Sequence, residues 1–388
     1  MIYLDHNATT PVAPEVLEAM GPFLREQYGN ASSQHRLGRQ ARAVVERARE
    51  QVAKLLNART DEIVFTSGGS ESNNTALQGV LTGRSDGKQH IITSQVEHPS
   101  VKMTCRALEK RGCRVTSVPV DQHSQVDSAA VASAITDQTA LVSIMHANNE
   151  VGTVQPIAAI GELCRSRGLL FHTDAVQSAG ILPIDVKAMH IDLLSLSAHK
   201  LYGPKGIGVL YVRKDTPLRP LIHGGEQEAG RRGGTEPVAA IVGLGRAAEL
   251  TLHERTERAT RIAALRDRLY EGLRTRIDGM HRRGHPTDTL PGTLALGFDG
   301  IEGEALVLML DQEHICASTG SACSSGRMTP SHVLLAMGLD PSSGQGPLRL
   351  SLGRGNTTEE IDRVIETLPV LVKRLRALAA TSSAATHH

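Results

Sequence analysis

An α/β fold built on a mostly parallel, seven-stranded sheet is predicted by two observations. Between residues 60 and 215, short apolar runs alternate with stretches of helical periodicity. The polar residues able to carry chemistry follow those runs, at the strand ends where such sheets bind ligands. The expected strands are 62–66, 91–96, 114–118, 141–146, 169–172, 193–196 and 208–212, with helices at 71–81, 99–111, 128–135 and 157–167. Helices of this length between strands cover the sheet on both faces.

Beyond the sheet, residues 254–277 are charged on one face and carry Ile262, Leu265, Leu269 and Leu273 at helical spacing. This stretch leads to a second region with a strand at 293–297, a helix at 302–310 and a final helix at 358–378. The small, polar tail 379–388 is expected to lack structure.

A length of 388 residues suggests about two or three domains. Net charge is +1, from 42 basic and 41 acidic residues, so the chain has no broad electrostatic footprint for nucleic acid or an anionic membrane. Aromatic residues make up 2% and Trp is absent, so the core must rest on Leu, Val, Ile and Ala. The N-terminus lacks the charged start and apolar stretch of a signal peptide. No apolar run approaches the ~20 residues of a membrane span. A cytoplasmic protein is expected. The five cysteines are scattered and lack a Cys-x-x-Cys pair, which argues against a disulfide framework or a zinc site.

Lys200 is the most informative residue. The apolar run 191–196 delivers it into Ser197-Ala198-His199-Lys200-Leu201-Tyr202-Gly203-Pro204-Lys205-Gly206, where the glycines and proline oppose helix. Upstream, another apolar run ends in Thr173-Asp174-Ala175-Val176-Gln177. Either residue alone reads more readily as a solvated surface lysine or a helix cap. Together, at neighbouring strand ends, they are what pyridoxal phosphate needs. The amine takes the aldehyde as a Schiff base, and the carboxylate keeps the pyridine nitrogen protonated.

Other pieces fit around that pair. Ser67-Gly68-Gly69-Ser70-Glu71-Ser72-Asn73-Asn74 follows a strand and opens a helix, so Gly69, Ser70 and the helix N-terminus suit a phosphate. A plain glycine turn with a serine cap reads the same way. His98 precedes a proline-started helix and is a candidate to stack on the ring. Gln177 is a candidate for the ring hydroxyl, and Ser197 and His199 for the phosphate. Cys323 lies in Ser318-Thr319-Gly320-Ser321-Ala322-Cys323-Ser324-Ser325-Gly326, a small and polar setting that predicts an exposed loop thiol. Cys316, between Ile315 and Ala317, reads instead as strand core.

Several segments resemble cysteine desulfurases of the NifS/IscS kind, within the class V aminotransferase superfamily. They are Leu4-Asp5-His6-Asn7-Ala8-Thr9-Thr10-Pro11, Gly29-Asn30-Ala31-Ser32-Ser33, Val96-Glu97-His98-Pro99-Ser100, Asn148-Asn149-Glu150-Val151-Gly152, Arg231-Arg232-Gly233-Gly234-Thr235-Glu236 and Ser321-Ala322-Cys323. The resemblance runs from Tyr3 to about Leu378. It implies pyridoxal-phosphate fold type I, with a large domain at 13–252 and a small α+β domain from 1–12 and 253–378. It makes Lys200 the Schiff-base lysine, Asp174 the partner of the ring nitrogen, His98 the stacking residue and Gln177 the contact to the ring hydroxyl. Gly69, Ser70, Ser197 and His199 become phosphate contacts, and Asn149 lies near the cofactor and substrate. Thr235 matches a residue that reaches the other subunit's phosphate, which implies a homodimer. Arg349 resembles the arginine that holds the substrate carboxylate, although spacing leaves Arg354 open.

The activity implied is conversion of L-cysteine to L-alanine. Lys200 acts as base at Cα, His98 is a candidate to manage the thiol proton, and Cys323 takes the sulfur as a persulfide. An iron–sulfur scaffold or another acceptor protein then receives it, with Cys323 contacting a cluster at most in transit. The alternatives are a selenocysteine lyase or another class V aminotransferase. Ser70 departs from the family's more frequent Thr but keeps the hydroxyl.

Overall fold

The computed structural model describes residues 1–320, 331–339 and 345–385. The chain opens with β1 (Ile2–Tyr3), α1 (Pro14–Arg25) and α2 (Arg36–Leu56). Proline is tolerated at the start of α1 because a first-turn amide has no helical partner to lose. The His35 ring caps α2 by accepting from the Gly38 amide, and Asn57 ends it in the left-handed region at φ 54°.

The alternating part follows: β2 (Ile63–Thr66), α3 (Gly69–Gly83), β3 (His90–Ser94), α4 (Pro99–Glu109), β4 (Arg114–Val118), α5 (Ser128–Ala134), β5 (Thr139–Ser143), α6 (Ile157–Ser166), β6 (Leu170–Asp174), β7 (Leu193–Ser197) and β8 (Gly208–Val212). All seven expected strands form. Among the described residues they lie in the order β2-β8-β7-β6-β5-β3-β4. Strand β8 runs antiparallel to both neighbours, and the remaining pairs are parallel. Every residue of β2, β3, β5, β6, β7 and β8 is buried, as expected of a sheet covered on both faces. The edge strand β4 is the more exposed, and Arg114 there discourages further pairing.

The C-terminal region comprises α7 (Val238–Arg274), β9 (Met280–Arg283), β10 (Thr293–Asp299), α8 (Gly303–Gln312), β11 (Ile315–Cys316), α9 (His332–Ala336), β12 (Gln345–Ser351) and α10 (Thr358–Ala385). Strands β12, β10 and β9 form an antiparallel sheet, and β1 pairs with β11.

Two expectations need correction. Helix α7 starts well before residue 254. Its first turns are rich in Ala and Gly, so no charged face marks them. A Cβ on Gly245 would stand 2.7 Å from Ala48 Cα, so small residues let α7 lie against α2. The tail is helical as far as Ala385, because an alanine-rich segment readily extends a helix already nucleated.

Helix α7 also joins two apolar cores. Ile241, Leu244 and Ala247 pack with α2 and the large sheet. Ile262, Leu265, Leu269 and Leu273 pack with Leu294, Leu296, Leu348 and Leu368 in the second.

Candidate active site

Asp174, Gln177, His199 and Lys200 lie at the carboxyl ends of the parallel strands β6 and β7, and the N-terminal segment crosses beside the last three. Lys200 closes a short turn directly after β7, and its Nζ donates to the carbonyls of Ala8, at 2.8 Å, and Asn7. Gln177 Nε2 donates to the same Asn7 carbonyl at 2.9 Å. The His199 ring meets Thr9 Oγ1 at 3.1 Å, and its carbonyl accepts from Thr10 Oγ1 at 2.9 Å. Asn7 Nδ2 in turn donates to the Asn149 carbonyl at 3.1 Å. A cavity of about 60 Å³ lies beside Lys200, lined also by His6, Asn7, Gln177, Tyr202 and Thr293.

Asp174 ends β6 and is buried. Its Oδ2 accepts from Asn73 Nδ2 at 2.7 Å and its Oδ1 from the Val176 amide at 3.0 Å. The same Asn73 nitrogen donates to Ser100 Oγ at 2.8 Å. Ser100 Oγ lies 2.8 Å from His98 Nδ1, which also accepts the Ser100 amide at 3.2 Å and so caps α4. Burial pushes the His98 pKa down. Asp174 opposes that shift, while Lys200 and His332 add to it. Burial, with Lys200 and Lys205, takes His199 down to about 4. Both rings are therefore neutral near pH 7.

The start of α3 has the character of an anion cradle. Its N-cap, Gly68, has φ 152° and supplies no side-chain hydrogen bond to the helix. A Cβ on Gly69 would meet Val176 Cγ2 at 2.6 Å, so only glycine fits there. Ser197 lies against this turn, with its Oγ 3.8 Å from where a Gly68 Cβ would stand. Ser70, at the first turn, is exposed. Thr235 is also exposed, and no described residue bonds its side chain. Arg232 in its loop pairs with Glu71 at 3.0 Å, beside the cradle.

Pyridoxal phosphate fits this donor set. A helix N-terminus without a side-chain cap suits the phosphate, and a buried carboxylate suits the ring nitrogen. Lys200 supplies the amine.

Arg349 lies within β12, with its side chain 4% exposed. Its Nη2 donates to Asp5 Oδ1 at 2.7 Å and its Nη1 to the Asn149 carbonyl at 2.9 Å, while its buried Nε has no acceptor among the described residues. Arg354 is already shared between Glu15 at 2.8 Å and Glu254 at 2.9 Å, where it ties α1 to α7. The contact with Asn149 thus joins Arg349, not Arg354, to the site. Cys323 lies outside the described residues. Cys316, expected in a strand core, is only half-buried, because β11 is two residues long and pairs with the short β1.

Sequence reasoning gave no role to Asp5, Asn7, Asn73, Glu97 or Ser100. Glu97 is buried and accepts from Ser94 Oγ at 2.6 Å and the Met145 amide at 3.0 Å, while its Oε2 has no partner among the described residues. Burial pushes its pKa up to about 8. All five stand in segments already notable for motif, but their roles depend on contacts between distant segments.

Comparison with known proteins agrees with this geometry. Residues 2–364 match the family model described as aminotransferase class-V. The chain is 50% identical to the cysteine desulfurase IscS of Methanosarcina thermophila over 97% of its own length and 93% of the relative's. A solved NifS-like protein superposes with TM-score 0.90 at 40% identity, covering 96% of this chain and 99% of the other. A structure described as SspA in complex with cysteine superposes at TM-score 0.82 and 40% identity, covering 91% and 99%.

Proposed function

The chain belongs to the aminotransferase class-V family, and on that premise we propose that it is a pyridoxal phosphate-dependent cysteine desulfurase, converting L-cysteine to L-alanine. The observation that carries this reading is the meeting of Lys200, Asp174 and the Gly68-Gly69 cradle at one sheet edge, in a chain half identical to a cysteine desulfurase.

When bound, pyridoxal phosphate withdraws electrons from the substrate's Cα, so that first its proton and then the Cβ–S bond become breakable. The protein's own residues do the rest. Asp174 holds a proton on the ring nitrogen. Lys200 anchors the cofactor and, once released from it, takes the Cα proton. Arg349 binds the substrate carboxylate, and Asn149 stands beside it. Gln177 meets the ring hydroxyl; Gly69, Ser70, Ser197 and His199 hold the phosphate.

Cys323 thiolate forms an S–S bond to the substrate sulfur as the C–S bond breaks, leaving a persulfide on the enzyme and alanine as product. The balance needs no outside oxidant, because the sulfur is transferred and the three-carbon fragment takes a proton. The persulfide sulfur then goes to an acceptor protein, such as an iron–sulfur scaffold. A homodimer in which Thr235 reaches the partner's phosphate goes with this reading, as does a cytoplasmic location. No helix among the described residues is long and apolar enough to cross a membrane. The large unit at 13–252 and the small unit from 1–12 and 253–378 belong to the same proposal, supported by the two apolar cores.

The test is product analysis. L-cysteine should yield equimolar alanine and, with a thiol reductant, sulfide. Cys323→Ala should still bind the cofactor and respond spectrally to cysteine, yet lose alanine formation by about 10³-fold or more. Keto-acid formation from an amino acid, without alanine from cysteine, would place the chain among the aminotransferases instead.

A further inference from the structure

The side chains behind His98 constrain where that ring can carry its proton. Asn73 presents one nitrogen to two acceptors, Asp174 Oδ2 at 2.7 Å and Ser100 Oγ at 2.8 Å. The opposite amide orientation would set an oxygen against a carboxylate, so the nitrogen belongs there, and both of its hydrogens are spent. Ser100 Oγ, already an acceptor, has its own hydrogen left to give. Its near neighbour is His98 Nδ1 at 2.8 Å, which also receives the Ser100 amide at 3.2 Å. An imidazole nitrogen that accepts hydrogen bonds carries no proton.

We propose that Asn73 and Ser100 are positioning residues that fix His98 as the tautomer protonated on Nε2 and tie it by one hydrogen-bonded chain to Asp174. This inference rests on the desulfurase reading for its purpose, but its geometry does not depend on the reaction. No described residue bonds Nε2, so its N–H is available to whatever occupies the site. A second proton can enter only at Nδ1, where it displaces the Ser100 hydroxyl hydrogen and the Ser100 amide. His98 thus presents a neutral donor and resists becoming a base. That narrows its expected part in handling the thiol proton to hydrogen-bond donation through Nε2 in the resting enzyme.

The charged and titratable groups facing the ring come from three other elements: Asp174 at the end of β6, Lys200 after β7 and His332 on α9. Asp174 favours the charged ring; Lys200 and His332 oppose it. The depressed pKa of His98 agrees with this balance.

The test is long-range proton–nitrogen NMR on histidine-labelled holoenzyme, with His98→Gln used to assign the signal. Wild type should show the pattern of a neutral ring protonated on Nε2 at pH 7. Ser100→Ala removes one donor to Nδ1, so the His98 midpoint should rise by up to about one pH unit, the worth of one hydrogen bond. Ser100→Thr keeps the hydroxyl and should restore the wild-type midpoint. Cofactor content should be unchanged in both variants. A wild-type ring protonated on Nδ1, or a Ser100→Ala midpoint equal to wild type, would overturn the assignment. Absence of alanine formation with the expected tautomer intact would refute the desulfurase reading and leave this one standing.

Discussion

Asp174 and Arg349 are both buried charged residues on β-strands of the candidate site, and they are held in different ways. Asp174 ends a strand whose every residue is buried, and its partners come from the adjoining turn and from α3 on the same sheet. Arg349 sits in the antiparallel sheet of the C-terminal region and is neutralised by Asp5, from the far end of the chain. The cofactor side is thus built on the packed strands of the large sheet, with Asp174 held by hydrogen bonds from an uncharged amide and a backbone N–H. The substrate side is built from a side-chain ion pair between remote segments. Asp5 holds one nitrogen of the guanidinium, and the buried Nε has no acceptor among the described residues. On the proposed reading, Arg349 would exchange or share its carboxylate with the substrate, whereas Asp174 would keep its partners throughout.

The largest effect should come from the fixed side. Lys200→Ala should lower turnover by about 10³-fold or more. Borohydride reduction of wild type should label Lys200, and label on another lysine would break the comparison at its root.

The exchangeable side should respond in KM. Arg349→Lys loses the planar fork, and with one charge-assisted bond worth about 1.5–3 kcal/mol, KM for cysteine should rise roughly 10- to 100-fold. Arg354→Lys should leave KM alone and cost under about 1 kcal/mol of stability, since its pairs are partly exposed. An unchanged KM in Arg349→Lys would move the carboxylate site elsewhere.

A smaller effect concerns Glu97, beneath the fixed side. Its folded pKa of about 8 stands above that of the unfolded chain, so the folded state binds more protons between those values. Stability should therefore fall as pH rises from about 5 to about 8. Glu97→Gln should flatten the Tm profile over that window, and a slope equal to wild type would show that Glu97 is not its source. Smallest of all, Cys316→Ala, half-buried in a two-residue strand, should change stability by about 1 kcal/mol or less and leave turnover intact. A persulfide found by mass spectrometry on Cys316 would contradict its structural role.

The parts of the molecule legible in the sequence were those with local signals. Strand runs such as 193–196, the Lys200 turn and the Gly68-Gly69 entry to α3 each carry their own punctuation. Strand order was not legible, because nothing within β8 records that it inserts antiparallel between β2 and β7. Nor were Asp5 and Asn7, whose partners Arg349 and Lys200 lie far along the chain. Asn73 stands among other small polar residues at a helix start, and only the fold shows that it joins Asp174 to Ser100.

The N-terminal strand also sets the order in which the protein can be finished. Ile2 is made long before its partner Ile315, and the carbonyls that meet Lys200 belong to the same early segment. At about 5–20 residues per second, that partner is made roughly 15–60 s after the segment itself. The large sheet needs nothing beyond Val212 for its strands and can assemble during that interval. The β1 residues must then wait for β11, whereas the Asn7 and Ala8 carbonyls can meet Lys200 as soon as the large sheet forms, so the lysine turn can be furnished before the short parallel pair closes.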